Sequence, residues 1–123
     1  MYVGIDYHKR YTVATQMDPQ GVIPSQVRLK NDPDSLRTFA SSLPPGSKIA
    51  LEATEGWYSF YEMLESYCPE IYLAHPLKTR AIAEARIKTD KIDSTILAHL
   101  LRANLLPISY IPPREIRDGR EIL

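Results

Sequence analysis

The opening stretch Met1–Met17, "MYVGIDYHKRYTVATQM", decides the fold. "MYVGID" is a short apolar run ending in an aspartate, and "YTVATQM" is a second run rich in β-branched residues and tyrosine. "YHKR" between them is a polar turn, so the pair reads as two strands. In "DPQG", proline at the second position and glycine at the fourth suit a type I turn. "VIPSQVRL" follows as a third extended run, and its internal Pro24 argues for a sheet edge. The chain is therefore expected to begin with a three-stranded antiparallel meander.

After this meander the hydrophobic period changes. "NDPDSLRTFASSL" offers Asp32 as a helix N-cap, Pro33 at the first helical position, and Leu36, Phe39, Ala40 and Leu43 at helical spacing. "PPG" stops that helix. "SKIALEAT" reads as a short buried strand, "EGWYSFYEMLESY" as a helix and "EIYLAH" as another strand. From Pro76 onward the pattern is helical, and its best-defined helix is expected from about Asp90 to about Asn104. Three strands followed by helix, strand, helix, strand, helix is an α/β order. It is the order of a ribonuclease H-like mixed sheet, in which alternating helices and strands follow a meander, and that topology is one of those consistent with the pattern.

Composition narrows the function classes. The chain has 123 residues, enough for one domain with a real core, and a formal net charge of +0 with 24% charged residues. No global basic excess points to nucleic acid, but Lys78, Arg80, Arg86, Lys88 and Lys91 form a basic segment opposed only by Glu84 and Asp90. These five residues are candidate phosphate contacts. A single cysteine, Cys68, excludes an internal disulfide and a cysteine-based zinc site. The apolar runs are too short to span a membrane, and no signal-peptide layout precedes the first strand, so a cytoplasmic location is expected.

Four carboxylates carry the chemistry. Asp6 closes the first strand, and Glu52 closes the strand "KIALE". In α/β sheets, sites gather at those carboxyl ends. Asp90 and Asp93 lie one turn apart in "ARIKTDKIDSTILAHLL" (Ala85–Leu101). At about 100° per residue they share a stripe with Leu97, Leu100, Leu101 and Asn104. The competing explanation is capping, with Asp90 as N-cap and Asp93 completing a capping-box-like pair. As a set, Asp6, Glu52, Asp90 and Asp93 suit hard cations such as Mg²⁺ or Mn²⁺. Zinc fits less well, because His8, His75 and His99 are scattered. Trp57, Tyr58 and Tyr61 could stack on bases, although Trp57, Phe60, Tyr61 and Leu64 also match helical core spacing.

In order and spacing, "GIDYHK", "LEATEGWY", "HPLKTRAIA" and "KTDKIDSTILAHLL" resemble the N-terminal domain of the IS110-type, or DEDD, transposases. The resemblance covers essentially the whole chain and implies a RuvC-like fold whose Asp, Glu, Asp, Asp set binds divalent metal. Carried over by motif, those positions are Asp6, Glu52, Asp90 and Asp93. It implies a recombinase acting on insertion-sequence DNA, with a structured RNA as a further partner and a homo-oligomeric full-length protein. Two departures stand out. Glu55 occupies a position where the family motif usually has glycine, so Glu55 competes with Glu52 as ligand. The family also has a second domain that supplies a nucleophilic serine, and neither Ser59 nor Ser94 has a general base nearby in sequence. The expected organisation is a catalytic domain over residues 1–106 and, in 107–123, the start of a linker to a C-terminal domain not contained in this chain.

Two other functions fit the same residues. A stand-alone RuvC-like junction-resolving nuclease would use the same carboxylates, whereas a non-catalytic nucleic-acid-binding module would use them only as caps and turn formers. A sugar-kinase or actin-like ATPase also opens with a strand ending in aspartate, but the glycine-rich phosphate loops of those folds are missing.

Overall fold

The computed structural model of the chain describes residues 1–52, 54–68, 70–89 and 91–111. Strands β1 (Tyr2–Tyr7), β2 (Tyr11–Met17) and β3 (Ser25–Lys30) form the meander. They are followed by α1 (Pro33–Ser41), β4 (Lys48–Glu52), α2 (Trp57–Glu65), β5 (Ile71–Ala74), α3 (Pro76–Arg86) and α4 (Ser94–Arg102). The five strands make one sheet in the order β3-β2-β1-β4-β5. β1 pairs antiparallel with β2 and parallel with β4, and β4 pairs parallel with β5. This is the mixed α/β sheet expected of a ribonuclease H-like fold, and β3 lies at its edge with Pro24 just before it.

Local signals explain where the elements start. The β2–β3 turn closes with the Gly21 N–H donating to the Asp18 carbonyl at 2.9 Å, and Asp18 Oδ1 accepts from the N–H groups of Gln20 and Val22. Asp32 caps α1, its Oδ1 accepting from Ser35 N–H at 2.8 Å with Pro33 in the first turn. Those Ser35 hydrogen bonds hold the Asp32 carboxyl below its ordinary value. His75 caps α3 in the same way, its Nδ1 accepting from Lys78 N–H at 3.2 Å ahead of Pro76.

The sheet has two unlike faces. Val3, Ile5, Ile49, Leu51, Ile71 and Leu73 meet Leu36 and Phe39 of α1 and Phe60 and Leu64 of α2 in the main core. Truncating a fully buried member such as Leu64 to alanine would cost about 2–5 kcal/mol. On the opposite face Ala50 and Ala74 of the sheet form a smaller cluster with Leu97 of α4. Small residues are required there because α4 lies almost on the sheet. A Cβ on Gly4 would come within 1.9 Å of the Ser94 carbonyl oxygen. The N-terminal turn of α4 is also pinned through side chains. Thr15 Oγ1 is 2.8 Å from Ser94 Oγ, and Gln26 Nε2 donates to both Thr15 Oγ1 and Thr95 Oγ1.

After α4 the chain returns to the sheet edge, where Ile108 forms an antiparallel bridge with Ala74 and Ser109 N–H donates to the Leu73 carbonyl at 2.7 Å. Among the described residues, no helix is long and apolar enough to cross a membrane.

Candidate functional site

Strand alternation sorts the carboxylates by face. Val3, Ile5 and Tyr7 pack toward α1 and α2, so Gly4 and Asp6 face α4. On β4, Ile49 and Leu51 lie in the main core and Ala50 under α4, which puts Glu52 on the α4 face as well. Glu52 is the last residue of β4 and Asp6 the last but one of β1, and the two strands run parallel side by side, with Ile5 opposite Leu51.

The direction of α4 brings Asp93 to the same end. Its C-terminal Leu101, with Asn104, lines a small cavity beside Lys48 and Tyr72, near the starts of β4 and β5. Its first residue, Ser94, lies over Gly4, so the helix points its N-terminus toward the carboxyl ends of β1 and β4. Asp93 is the N-cap, with Oδ1 accepting from Ile96 N–H at 2.9 Å. The helix therefore begins at Ser94, not near Asp90, and the capping role expected of Asp90 is taken by Asp93. Asp90 itself lies outside the described residues.

Asp6 is a well-held carboxylate with its side chain 20% exposed, and His8 Nε2 donates to its Oδ2 at 2.9 Å. The imidazole is fixed in turn. It stacks on Tyr11 with ring centroids 4.5 Å apart, and the backbone carbonyl of His8 accepts from the Asn31 side-chain amide. Asn31 is itself held by Thr12, whose hydroxyl donates to Asn31 Oδ1 at 2.6 Å. His8 as the partner of Asp6 is absent from the expectations drawn from sequence. The signal was available, because positions two apart on an extended segment share a face.

Glu52 is half-buried. Desolvation, and then the negative charge of Asp6, push its carboxyl above its ordinary value, while Arg80 of α3 pulls it back. Two like charges on adjacent strands thus sense one another in partial burial, with one cation opposing them. Among the described residues, however, no group of three or more His, Cys, Asp and Glu side chains is gathered closely enough to hold a metal ion. The Asp6 charge is felt by Glu52, and Asp93, the N-cap of α4, precedes the Ser94 that lies over Gly4 on the same face.

Glu55, the other candidate carboxylate, lies two residues before the start of α2. It is exposed and lines an open cavity of about 440 Å³ with Tyr7, His8, Lys9, Thr54 and Gly56. Gly56 opens α2 at φ 85, and a Cβ there would crowd the Tyr7 ring at 3.1 Å. Lys78, Arg80, Arg86, Lys88 and Lys91 are all exposed, and of these Arg80 is the one whose charge reaches Glu52. Trp57 and Tyr61 pack against the main core, with ring centroids 5.9 Å apart in an edge-on arrangement. Their first role is therefore structural, as their helical spacing suggested.

A family model described as "Transposase", that of the IS110-type DEDD transposases, matches residues 3–120. No curated protein matches the chain. The match spans nearly the whole chain, and the observed order of a meander followed by alternating helices and strands agrees with it. The protein belongs to the IS110-type DEDD transposases, and its mixed sheet is the ribonuclease H-like N-terminal domain of that family.

Proposed function

We propose that this transposase domain is the divalent-metal-binding half of a composite site that cuts and rejoins insertion-sequence DNA. Asp6, Glu52, Asp90 and Asp93 are the proposed ligands, and Mg²⁺ or Mn²⁺ the proposed ion. The observation that carries the reading is the Asp6–Glu52 pair at the carboxyl ends of two parallel strands, close enough for Asp6 to raise the Glu52 pKa. The donor chemistry fits a hard cation, since all four residues offer oxygen and two of them repel without a positive charge between them. Asp93 supports the reading because α4 holds it at the same end of the sheet.

When bound, such a cation supplies charge stabilisation to the phosphodiester oxygens. The protein's own side chains do the rest. His8 orients Asp6, partial burial of Glu52 limits water, and Arg80 with Lys78, Arg86, Lys88 and Lys91 holds phosphates beside the carboxylates. The attacking serine would come from a second domain. Ser94 is unsuited to that task, because it is buried with its hydroxyl bonded to Thr15. A structured RNA and a second copy of the full-length protein are the further proposed partners.

Calorimetric titration of Mn²⁺ into the parent chain and into Asp6→Asn tests the assignment. The account expects the variant to lose binding while keeping its fold. Equal binding by both proteins would overturn it.

A further inference from the structure

The α4 face of the sheet continues beyond the carboxylates to the β3 edge, where a second basic surface stands. Val27 and Leu29 of β3 pack against the main core, so Arg28 and Lys30 project from the opposite side, the side that carries Asp6 and Glu52. The β2–β3 register sets Tyr11 opposite Lys30 and Val13 opposite Arg28, so both cations share the face of the sheet that carries Tyr11. Arg10, Tyr11, Arg28, Leu29 and Lys30 line an open cavity of about 390 Å³. The Arg28 guanidinium is held 3.8 Å from the centroid of the Tyr11 ring. A cation over an aromatic face is oriented before any ligand arrives.

Among the described residues, no ion pair occupies Arg10, Arg28 or Lys30. The carboxylate that feels Lys30 is Asp32, and its oxygens are already engaged by Ser35. The patch is joined to the site by contact, since the same Tyr11 ring stacks on His8, and His8 bonds Asp6. Across the sheet this gives a row of Lys30 and Arg28, Tyr11, His8, Asp6, Glu52 and then Arg80. Cations therefore flank the carboxylate pair on both sides.

We infer that Arg10, Arg28 and Lys30, arranged around Tyr11, form a phosphate-binding surface that holds the DNA backbone on the β3 side of the carboxylates. The α3 cations hold it on the other side. This rests on the proposed DNA chemistry of the neighbouring site, which is why the ligand is DNA. The surface contacts phosphate and not base edges, so it confers grip without sequence preference.

The test is a salt titration of binding to a short DNA duplex in EDTA, with the parent chain and with Arg10→Gln, Arg28→Gln and Lys30→Gln combined. All three side chains are exposed, so the fold should persist. The variant should bind more weakly, and its slope of log affinity against log salt should be shallower by about 0.9 for each phosphate contact removed. An unchanged slope, or a parent chain that does not bind DNA at low salt, would overturn the inference. So would a slope change seen with a structured RNA but not with DNA. Because no metal is present, this result stands apart from the Mn²⁺ titration, and either reading can fail without the other.

Discussion

Gly4 of β1 lies directly beneath Ser94 of α4, so close that an added Cβ would fall 1.9 Å from the Ser94 carbonyl oxygen and 2.7 Å from the Ala98 nitrogen. Both atoms are backbone and neither can rotate away. Gly4→Ala should therefore push α4 off the sheet, with an overpacking cost of about 1–3 kcal/mol. Chemical denaturation measures that cost. Mn²⁺ affinity should fall with it, because the same helix carries Asp93.

Asp93 has two separable roles. Its side chain caps α4 through Ile96 N–H, and asparagine caps about as well as aspartate, whereas loss of a cap to alanine costs about 1 kcal/mol. Asp93→Asn should keep the parent melting temperature and lose Mn²⁺ affinity, while Asp93→Ala should lose both. If Asp93→Asn binds Mn²⁺ like the parent, Asp93 is a cap alone.

Glu52 makes stability depend on pH. Its folded pKa is raised above the ordinary value of 4.5, first by burial and then by Asp6, so the folded state binds its proton more tightly than the unfolded chain does. Stability from this group is therefore lost as pH rises from about that value through the raised one. Glu52→Gln, which carries no charge, should melt higher than the parent at neutral pH without metal, and the gain should vanish below the unfolded value. Melting curves across pH, with and without Mn²⁺, check both parts. A variant no more stable than the parent at neutral pH would mean that the carboxylate pair is not strained.

Lys88 follows α3 with φ 63, and the helix end is closed by Ile87 and Thr89 N–H groups that both donate to the Ala83 carbonyl. A side chain in the left-handed region costs about 1–2 kcal/mol that glycine avoids. Lys88→Gly should raise stability while weakening DNA binding, a split that thermal melts and binding titrations together would reveal.

The parts of this fold legible in the sequence are those governed by near neighbours. The strand runs around Asp6, the Asp32–Pro33 start of α1 and the edge position signalled by Pro24 all rest on residues a few positions apart. The start of α4 was read less well, since Asp90 and Asp93 both have cap chemistry. The Asp93 side chain takes the cap by accepting from Ile96 N–H, and the turn that follows it is packed on Gly4 across the sheet, a contact no local pattern reveals. The bond from His8 to Asp6 has a local signature in their i,i+2 spacing, which a search for zinc-ligand spacing among the histidines passes over. The cluster of Arg10, Arg28 and Lys30 depends on the β2–β3 register, which no local pattern reveals. The influence of Arg80 on Glu52 likewise depends on how α3 leaves β5.

The measurement that bears most directly on the central claim is an anomalous difference map from a crystal of this domain soaked in Mn²⁺. The account predicts a peak at about 2.1 Å from oxygens of Asp6 and Glu52, with Asp93 turned toward it. A map with no peak, in which Asp6 still bonds His8 and Asp93 only caps α4, would contradict it and leave these carboxylates as structural residues.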